Sequence, residues 1–528
     1  MINNITPVLG RSRILSRMGV FLLRALKERK EKMIYPTLEE TKRILQNNHQ
    51  NYRRIPIRME LYSDTITPVM AIRRLKQVSH HCFLLESAEQ SKQWGRYSFL
   101  GYDPTVELTC QNGTLVVKSG TTFTSQTTHP QEMIRQIIAE NKAPKLSGMP
   151  PFCGGLVGYF SYDYIKYSEP TLNLDAKDEE AFHDVDLMLF EKVIAFDNYS
   201  QKIILINNIP VDYLEHIDTA YAKGEMELRN MAELLLRGKL CENPPLKLMG
   251  PFQYLFDKDQ YCHIVEQGKR YITEGDIFQV VLSNRIEAKI QGSLLDTYRV
   301  LRTTNPSPYM FYFSSDDIEI AGASPETLGK LEDGILHTFP LAGTRPRGKD
   351  DAEDLALEKS LLEDEKERSE HNMLVDLGRN DIGKISKIGT VEVEKYMEIE
   401  RYSHVMHIGS TVRGEIRDDR DALDAVDSIL PAGTLSGAPK LRACEIINEL
   451  EDNKRGIYGG AIGYIDFTGN LDTCIAIRLA FSKNGKVFIR SGAGIVADSV
   501  PENEFQECIN KAKAVMNALE EAEGGIDL

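Results

Sequence analysis

Two segments far apart in the chain carry acids and cations at spacings that suit a small anionic ligand held through a metal ion. The run Glu363 to His371 presents Glu363, Glu367 and Glu370 at i,i+3 and i,i+4 intervals, so a helix there would put them on overlapping faces. Nearer the C-terminus, Arg478, Gly492-Ala493-Gly494, and Glu507 with Lys511 offer a guanidinium fork, glycine-rich backbone, a further carboxylate and an ammonium. Carboxylates are hard oxygen ligands suited to Mg2+, and the cationic groups would take a compact dicarboxylate. Glu370 could ligate the cation while Glu367 gives a proton to a departing hydroxyl. Each feature has an ordinary reading as well. The helix acids can be a solvated face, the glycines a tight turn, and Glu507 and Lys511 an i,i+4 pair worth roughly 0.3–0.5 kcal/mol.

The elements that must position these residues follow from periodicity. Thr473 to Phe481 alternates as a strand, with Cys474, Ala476, Arg478 and Ala480 on one face, so Arg478 would project among small side chains. Lys486 to Arg490 reads as a strand running into a Ser491–Ile495 turn whose N–H groups could nest an anion. Glu353 to Leu377 reads as one charged helix and Glu502 to Glu523 as a closing helix carrying an apolar stripe through Cys508, Ala512 and Val515. The strand Tyr402 to Ile416 puts His407 on a face that could line a cleft beside Arg478. His404 and His407 do not form HExxH, and Gly433 to Lys440 lacks the spacing of a phosphate loop.

Upstream, Thr37 to Asn47 reads as a helix with a Thr cap, and Arg54 to Leu61, Cys82 to Leu85, Thr105 to Leu108, Thr114 to Lys118, Asp186 to Phe196 and Lys202 to Asn207 as strands. Pro130 to Asn141 and Tyr213 to Leu236 look helical. The breaker-rich stretch Glu242 to Pro251 separates a unit 33–250 from a unit 251–528. The strands are not separated by regular crossover helices, so the expected class is α+β, with antiparallel sheets.

At 528 residues with 42% apolar and 27% charged side chains, the chain is long enough for two or three cores, and it has no apolar run near the ~20 residues a membrane helix needs. A net charge of −15 opposes nucleic acid as the main partner. The eight cysteines are scattered singly, which points to reduced thiols in a cytoplasmic setting. Residues 1–32 form a basic extension around Val20-Phe21-Leu22-Leu23; a transit peptide would look like that, but the preferred reading is an extension outside the native chain, opened by Met33.

Several ordered stretches together resemble the chorismate-utilising enzymes, and among them the large subunits of anthranilate synthases. They include Leu84 to Ser87, Pro151 to Asp163, Asn305 to Phe311, Gly322 to Glu326, Pro340 to Gly348, Glu365 to Asp381, Ala432 to Lys440, Tyr458 to Tyr464, Leu471 to Arg478 and Ser491 to Lys511. The resemblance implies a two-unit α+β fold of antiparallel sheets packed face to face with helices outside. It implies that Glu370 and Glu507 hold Mg2+, that Gly343, Thr344, Tyr458, Arg478, Gly492, Ala493, Gly494 and Lys511 bind chorismate, and that Glu367, His407 and Thr434 are catalytic. Ammonia would attack the ring, and loss of water and of pyruvate would leave anthranilate.

Within that family, Gln279 stands where water-adding relatives have a basic Lys, and Ala342 stands where the para-amino relative has Lys; both favour ammonia and the ortho product. No cysteine sits in a glutaminase setting, so a separate amidotransferase subunit is expected, in a heterotetramer of two large and two small subunits. Glu86, Ser87, Pro308, Tyr309 and Met310 resemble the family's tryptophan feedback site, placed mostly in the first unit. The rival reading is an amino-acid sensor that has lost turnover.

Overall fold

The computed structural model describes residues 34–47, 51–87, 95–211, 214–402 and 405–526; the basic extension 1–32 lies outside the described residues. Two large antiparallel sheets dominate. The first, fourteen strands among the described residues, runs from Ile34–Tyr35 through Arg54–Tyr62, Lys202–Pro210, Lys192–Asp197, Tyr97–Tyr102 and Cys82–Glu86 to Tyr309–Ser314, Glu319–Ser324, Leu479–Lys483, Lys486–Ile495 and Gln279–Gln291. The second, of twelve, runs from Leu341–Pro346 and Val405–Glu415 through Ile335–Thr338, Thr327–Glu332, Leu471–Ile475 and Ala461–Asp466 to Gly155–Phe160, Val185–Phe190 and Val106–Gln111. Both cross the stretch 242–251: Cys82–Glu86 pairs with Tyr309–Ser314, and Gly155–Phe160 with Ala461–Asp466.

The sheets face one another across an aromatic core. Phe83, Phe99, Phe311 and Phe488 come from the first sheet and Tyr159, Met188, Phe190 and Ile462 from the second. Phe83 meets Phe190 edge to face at 4.8 Å, the geometry that aligns a ring edge with a π face. Burying each such side chain stabilises the fold by roughly 2–3 kcal/mol. Helices cover the outer faces. Ile217–Arg237, Leu295–Thr304 and Pro501–Ala522 pack on the first sheet, and Pro130–Glu140, Glu365–Gly383 and Ala422–Ile429 on the second.

Three expected elements are divided in the structure, each for a local reason. The apolar run Asp186 to Phe196 is two strands, Val185–Phe190 and Lys192–Asp197, in different sheets. The switch falls at Glu191, which pairs with Arg54 at 2.5 Å. Uniform hydrophobicity hid this switch, because both strands are buried on both faces. Thr473 to Phe481 is likewise split into Leu471–Ile475 and Leu479–Lys483, which again belong to different sheets. The charged helix Glu353 to Leu377 is two helices, Asp351–Glu363 and Glu365–Gly383.

The break between those helices lies at Asp364, which ends one and caps the next. Its carboxylate accepts from the N–H groups of Lys366 and Glu367 and pairs with Arg345 at 2.8 Å. Glu367 therefore sits in a fresh first turn, with Glu370 one turn further on. Asp364→Ala removes that cap and is expected to cost about 1 kcal/mol, read as a lower urea midpoint, with Asp364→Ser recovering most of the loss. An unchanged midpoint would show that packing alone sets the helix boundary.

Candidate active site

The helix Glu365–Gly383, the strand Leu341–Pro346, the chain crossing after Ile475 and the closing helix Pro501–Ala522 bring their charged residues within reach of one another beside a cleft. On the closing helix, Lys511 Nζ pairs with Glu507 at 2.6 Å and donates to the Gly492 carbonyl at 3.1 Å. Arg478 Nη1 donates to the Lys511 carbonyl at 3.0 Å. Arg478, Glu507 and Lys511 line an open groove of about 520 Å3 that also includes Asn503, Gln506 and Asn510. Burial lowers the pKa of Arg478, while Tyr458 and Glu507 act in the opposite sense.

Arg478 reaches the cleft differently from the strand alternation expected. It lies in the crossing, not in a strand, and its φ of 54° is left-handed. The Gly492-Ala493-Gly494 turn is also corrected: these residues continue the strand Lys486–Ile495 and pair with Ser283, Leu282 and Val281. The glycines serve close approach instead of a nest. A Cβ at Gly492 would lie 2.6 Å from the Leu282 carbonyl, and one at Gly494 2.6 Å from Gln279 Nε2.

Gln279 ties this strand region to the acidic helix, since its Nε2 donates to Glu370 Oε1 at 3.4 Å while its buried Oε1 has no partner among the described residues. Burial, then the neighbouring Glu367, raises the pKa of Glu370; Lys511 lowers it. Burial and Glu507 likewise raise that of Glu504. Four acids thus gather among Lys366, Lys511, Arg345 and Arg478, and the repulsion of Glu370 by Glu367 and of Glu504 by Glu507 is what a cation between them would relieve. All the donors are hard carboxylate oxygens. With one or two protein carboxylates, a site of this composition suits Mg2+, which retains room for water and substrate oxygens. Groups of three close metal-ligand types among the described residues lie elsewhere, at His81, Glu107 and Asp316 and at His183, Asp186 and Asp317. In each, a lysine already pairs with one of the acids, Lys118 with Asp316 and Lys483 with Asp317.

His407, on the strand Val405–Glu415, lies within electrostatic reach of Arg478. Its Nδ1 lies 2.8 Å from the Gly343 carbonyl and 3.1 Å from Thr344 Oγ1. A carbonyl can only accept, so Nδ1 holds the proton and Nε2 is left as a base. Burial, then Arg478, lowers the His407 pKa, against the opposing bond to Gly343. Gly343 has φ 65°, and a Cβ there would come within 3.2 Å of Glu367 Oε2. Glu367 in turn faces Arg345 Nη1 at 3.5 Å.

Sequence reasoning missed Glu326, at the end of the Gly322–Glu326 stretch. Thr434 Oγ1 donates to Glu326 Oε1 at 3.1 Å, and burial raises this carboxyl to about 7. Nothing in the spacing marks it, because its partners come from residues 434 and 511. A second missed feature is the buried cluster behind Tyr458. Arg455 and Arg490 both bind Glu451, at 2.6 and 2.7 Å, with all three side chains about 1% exposed. Arg455 also donates to the Leu435 carbonyl at 2.5 Å and lies 5.8 Å from the Tyr458 ring, so one cluster fixes both the Thr434 turn and Tyr458. A third is His371, completely buried, with Nε2 2.6 Å from Ser410 Oγ; this bond locks the acidic helix to the His407 strand. Lys440, by contrast, is occupied by Asp381 at 2.6 Å.

The expected feedback residues lie in a separate cavity. Glu86, Ser87, Pro308, Tyr309 and Met310 all line it, between the two sheets. Among the described residues, no helix is long and apolar enough to cross a membrane.

Residues 80–517 match the chorismate binding enzyme family, and the chain belongs to it. Among its relatives, anthranilate synthase component 1 of Acetivibrio thermocellus is 46% identical over 93% of this chain and 99% of its own length. That of Aquifex aeolicus is 44% identical over 92% and 98%. The chain also resembles the crystal structure of anthranilate synthase component I from Streptococcus pneumoniae, with a TM-score of 0.69 and 38% identity over 86% of this chain and 98% of that one. The menaquinone-specific isochorismate synthase MenF of Escherichia coli, 19% identical with a TM-score of 0.64, shares the fold.

Two outcomes test this geometry. Gly494→Ala should displace Gln279 and lower turnover by about 10- to 100-fold while leaving the melting curve nearly unchanged. The second concerns Glu326, whose carboxyl titrates near 4.5 when unfolded and about 7 when folded. Its contribution to stability is complete below the lower value and is lost as pH rises through the higher one. Glu326→Gln cannot ionise, so its denaturation midpoint should gain on the wild type as pH increases from about 5 to about 8. Parallel midpoints would place the Glu326 titration outside that window.

Proposed function

We propose that this chain is the large subunit of an anthranilate synthase, converting chorismate and ammonia to anthranilate and pyruvate at the start of tryptophan biosynthesis. The observation that carries the reading is the meeting of Glu367 and Glu370 from one helix with Glu507, Lys511 and Arg478 around one cleft. Long relatives bearing that name support the product.

Glu370 and Glu507 are the residues that would hold Mg2+, with Glu504 adding to the negative field. Bound there, the cation would neutralise developing carboxylate charge on the substrate. Arg478 and Lys511 hold and orient the substrate carboxylates, with Tyr458, Gly343, Thr344 and the backbone of Gly492, Ala493 and Gly494 shaping the pocket. Gln279 suits ammonia: its carboxamide is no base for water, and its unpaired Oε1 can accept from an N–H of the nucleophile.

Proton donation to the leaving hydroxyl needs a carboxyl that retains its proton near neutrality. The resemblance points to Glu367. Glu326, raised to about 7 by burial and positioned by Thr434, meets this requirement, and we assign the proton to it. His407, neutral with Nε2 unprotonated, is the base for elimination of the enolpyruvyl group. Ammonia reaches the cleft from a separate glutamine amidotransferase subunit in a two-plus-two heterotetramer, and L-tryptophan bound in the second cavity is the inhibitor. The alternating strands of both sheets carry residues of both sites, so the regulatory unit 33–250 and catalytic unit 251–528 are functional divisions of a shared sheet framework.

The deciding experiment mixes the chain with chorismate, Mg2+ and ammonium and follows anthranilate fluorescence. Appearance of 4-amino-4-deoxychorismate would overturn the product assignment, and tryptophan binding without turnover would make the protein a sensor. Glu370→Gln and Glu507→Gln should each lower kcat/KM by at least about 100-fold and raise the Mg2+ concentration needed for half-activity. Glu326→Gln should lower kcat by roughly 100- to 10,000-fold, more than Glu367→Gln; the reverse order would return the acid role to Glu367.

A further inference from the structure

The second cavity, of about 140 Å3, is walled by Phe99, Pro308, Tyr309, Phe311, Ile462 and Tyr464, and its charged lining is two acids, Glu86 and Asp472, with Arg96 and Lys330. Aromatic walls with carboxylates at their edge select an amine on an aromatic body. The two acids are not equally available. Glu86 already receives four donors: Tyr298 OH at 2.5 Å, Arg302 Nε at 2.9 Å, Arg302 Nη2 at 3.3 Å and Ser98 Oγ at 3.2 Å. Two carboxylate oxygens offer about four acceptor directions, so an ammonium at Glu86 must compete with an ion pair and a buried phenol. Asp472 receives one hydrogen bond among the described residues, from Tyr309 OH at 2.8 Å. Burial raises its pKa and Lys330 lowers it, which marks a desolvated carboxylate whose charge is only partly compensated.

We propose that Asp472 takes the ammonium of the inhibitory amino acid and carries the inhibition into the catalytic cleft. The proposal rests on the regulatory reading of this cavity given above. The route is short. Asp472 lies six residues before Arg478 on the same segment, and Tyr309 leads through Glu319–Ser324 to Glu326. The two segments are tied next to the cleft, where Ser324 Oγ donates to the Ile475 carbonyl at 2.7 Å and Ile475 N–H to the Glu326 carbonyl at 3.0 Å. Each segment therefore has one end in the cavity and the other at a substrate-facing side chain. A ligand that draws Asp472 away from Tyr309 moves a residue in each sheet, and the displacement ends at Arg478 and Glu326. Coupling of this kind is reciprocal, so chorismate should weaken the amino acid as much as the amino acid weakens chorismate.

Asp472→Asn preserves an acceptor for Tyr309 and removes the charge. In the full-length protein, calorimetry should show L-tryptophan binding weakened by about 30-fold or more, with indole-3-propionate, which lacks the ammonium, changed by less than about 3-fold. Ammonium-dependent kcat/KM for chorismate should stay within about 3-fold of wild type while the inhibition curve shifts to higher L-tryptophan. Inhibition that persists unshifted, or equal weakening of both ligands, would overturn the proposal while leaving the cavity as the regulatory site. Failure of the wild type to bind L-tryptophan would overturn the regulatory reading itself, and this proposal with it. Should Asp472→Asn and Asp472→Ser both misfold, the wild type decides: comparable affinity for L-tryptophan and indole-3-propionate would exclude ammonium recognition by Asp472.

Discussion

The cleft depends on the way the chain passes from one sheet to the other between Ile475 and Leu479. Arg478 occupies that passage in a left-handed conformation, which costs a non-glycine residue roughly 1–2 kcal/mol. Its own carbonyl accepts from the N–H of Ala323 in the first sheet, and its guanidinium donates to the Lys511 carbonyl on the closing helix. Strand crossing, first sheet and closing helix are therefore joined at one residue. A guanidinium held from behind in this way presents its remaining N–H donors to the cleft in a fixed direction, which a side chain free on a strand face would not do.

Around this junction, electrostatics is arranged in two layers. Deep in the structure, Glu451 is shared by Arg455 and Arg490, and the bonds satisfy nearly every charged atom, as burial of ions requires. That compensated layer is rigid and fixes Tyr458 and the Thr434 turn. The layer facing the cleft instead sets Glu367 beside Glu370 and Glu507 beside Glu504, and each neighbour adds to the raised pKa of Glu370 and of Glu504. The deep cluster is closed on itself, whereas the cleft pairs Glu507 with Lys511 and Glu367 with Arg345 while leaving like charges beside one another, although both contain the same residue types.

The two cavities share strands instead of being attached to separate bodies. Tyr309, Glu326, Asp472 and Arg478 all lie on segments that alternate between sheets, and the inter-sheet core of Phe83, Phe190, Phe311 and Ile462 keeps those segments in register. A close-packed aromatic core transmits small displacements because it has no slack volume in which to absorb them. The same packing explains why both sheets run continuously past the breaker-rich stretch near residue 250.

Much of this was legible in the chain. The Thr37 cap with Glu40, the helical span of the closing segment and the antiparallel α+β class follow from local chemistry and short-range periodicity, which act over a few residues. The types of residue in the cleft were legible as well, since acids at i,i+3 spacing belong to one helix wherever it lies. Tertiary structure alone decided where continuous apolar runs break and change sheets, at Glu191 and at Arg478. It also decided that Gly492 to Gly494 is a strand held close to its neighbour, and that burial raises the Glu326 carboxyl against the opposing hydrogen bond from Thr434, 108 residues away. Hydrophobic pattern reports whether a residue is buried, not by what; the choice among buried partners is made only when distant segments pack together, and the protonation and direction of the functional groups are set by that choice.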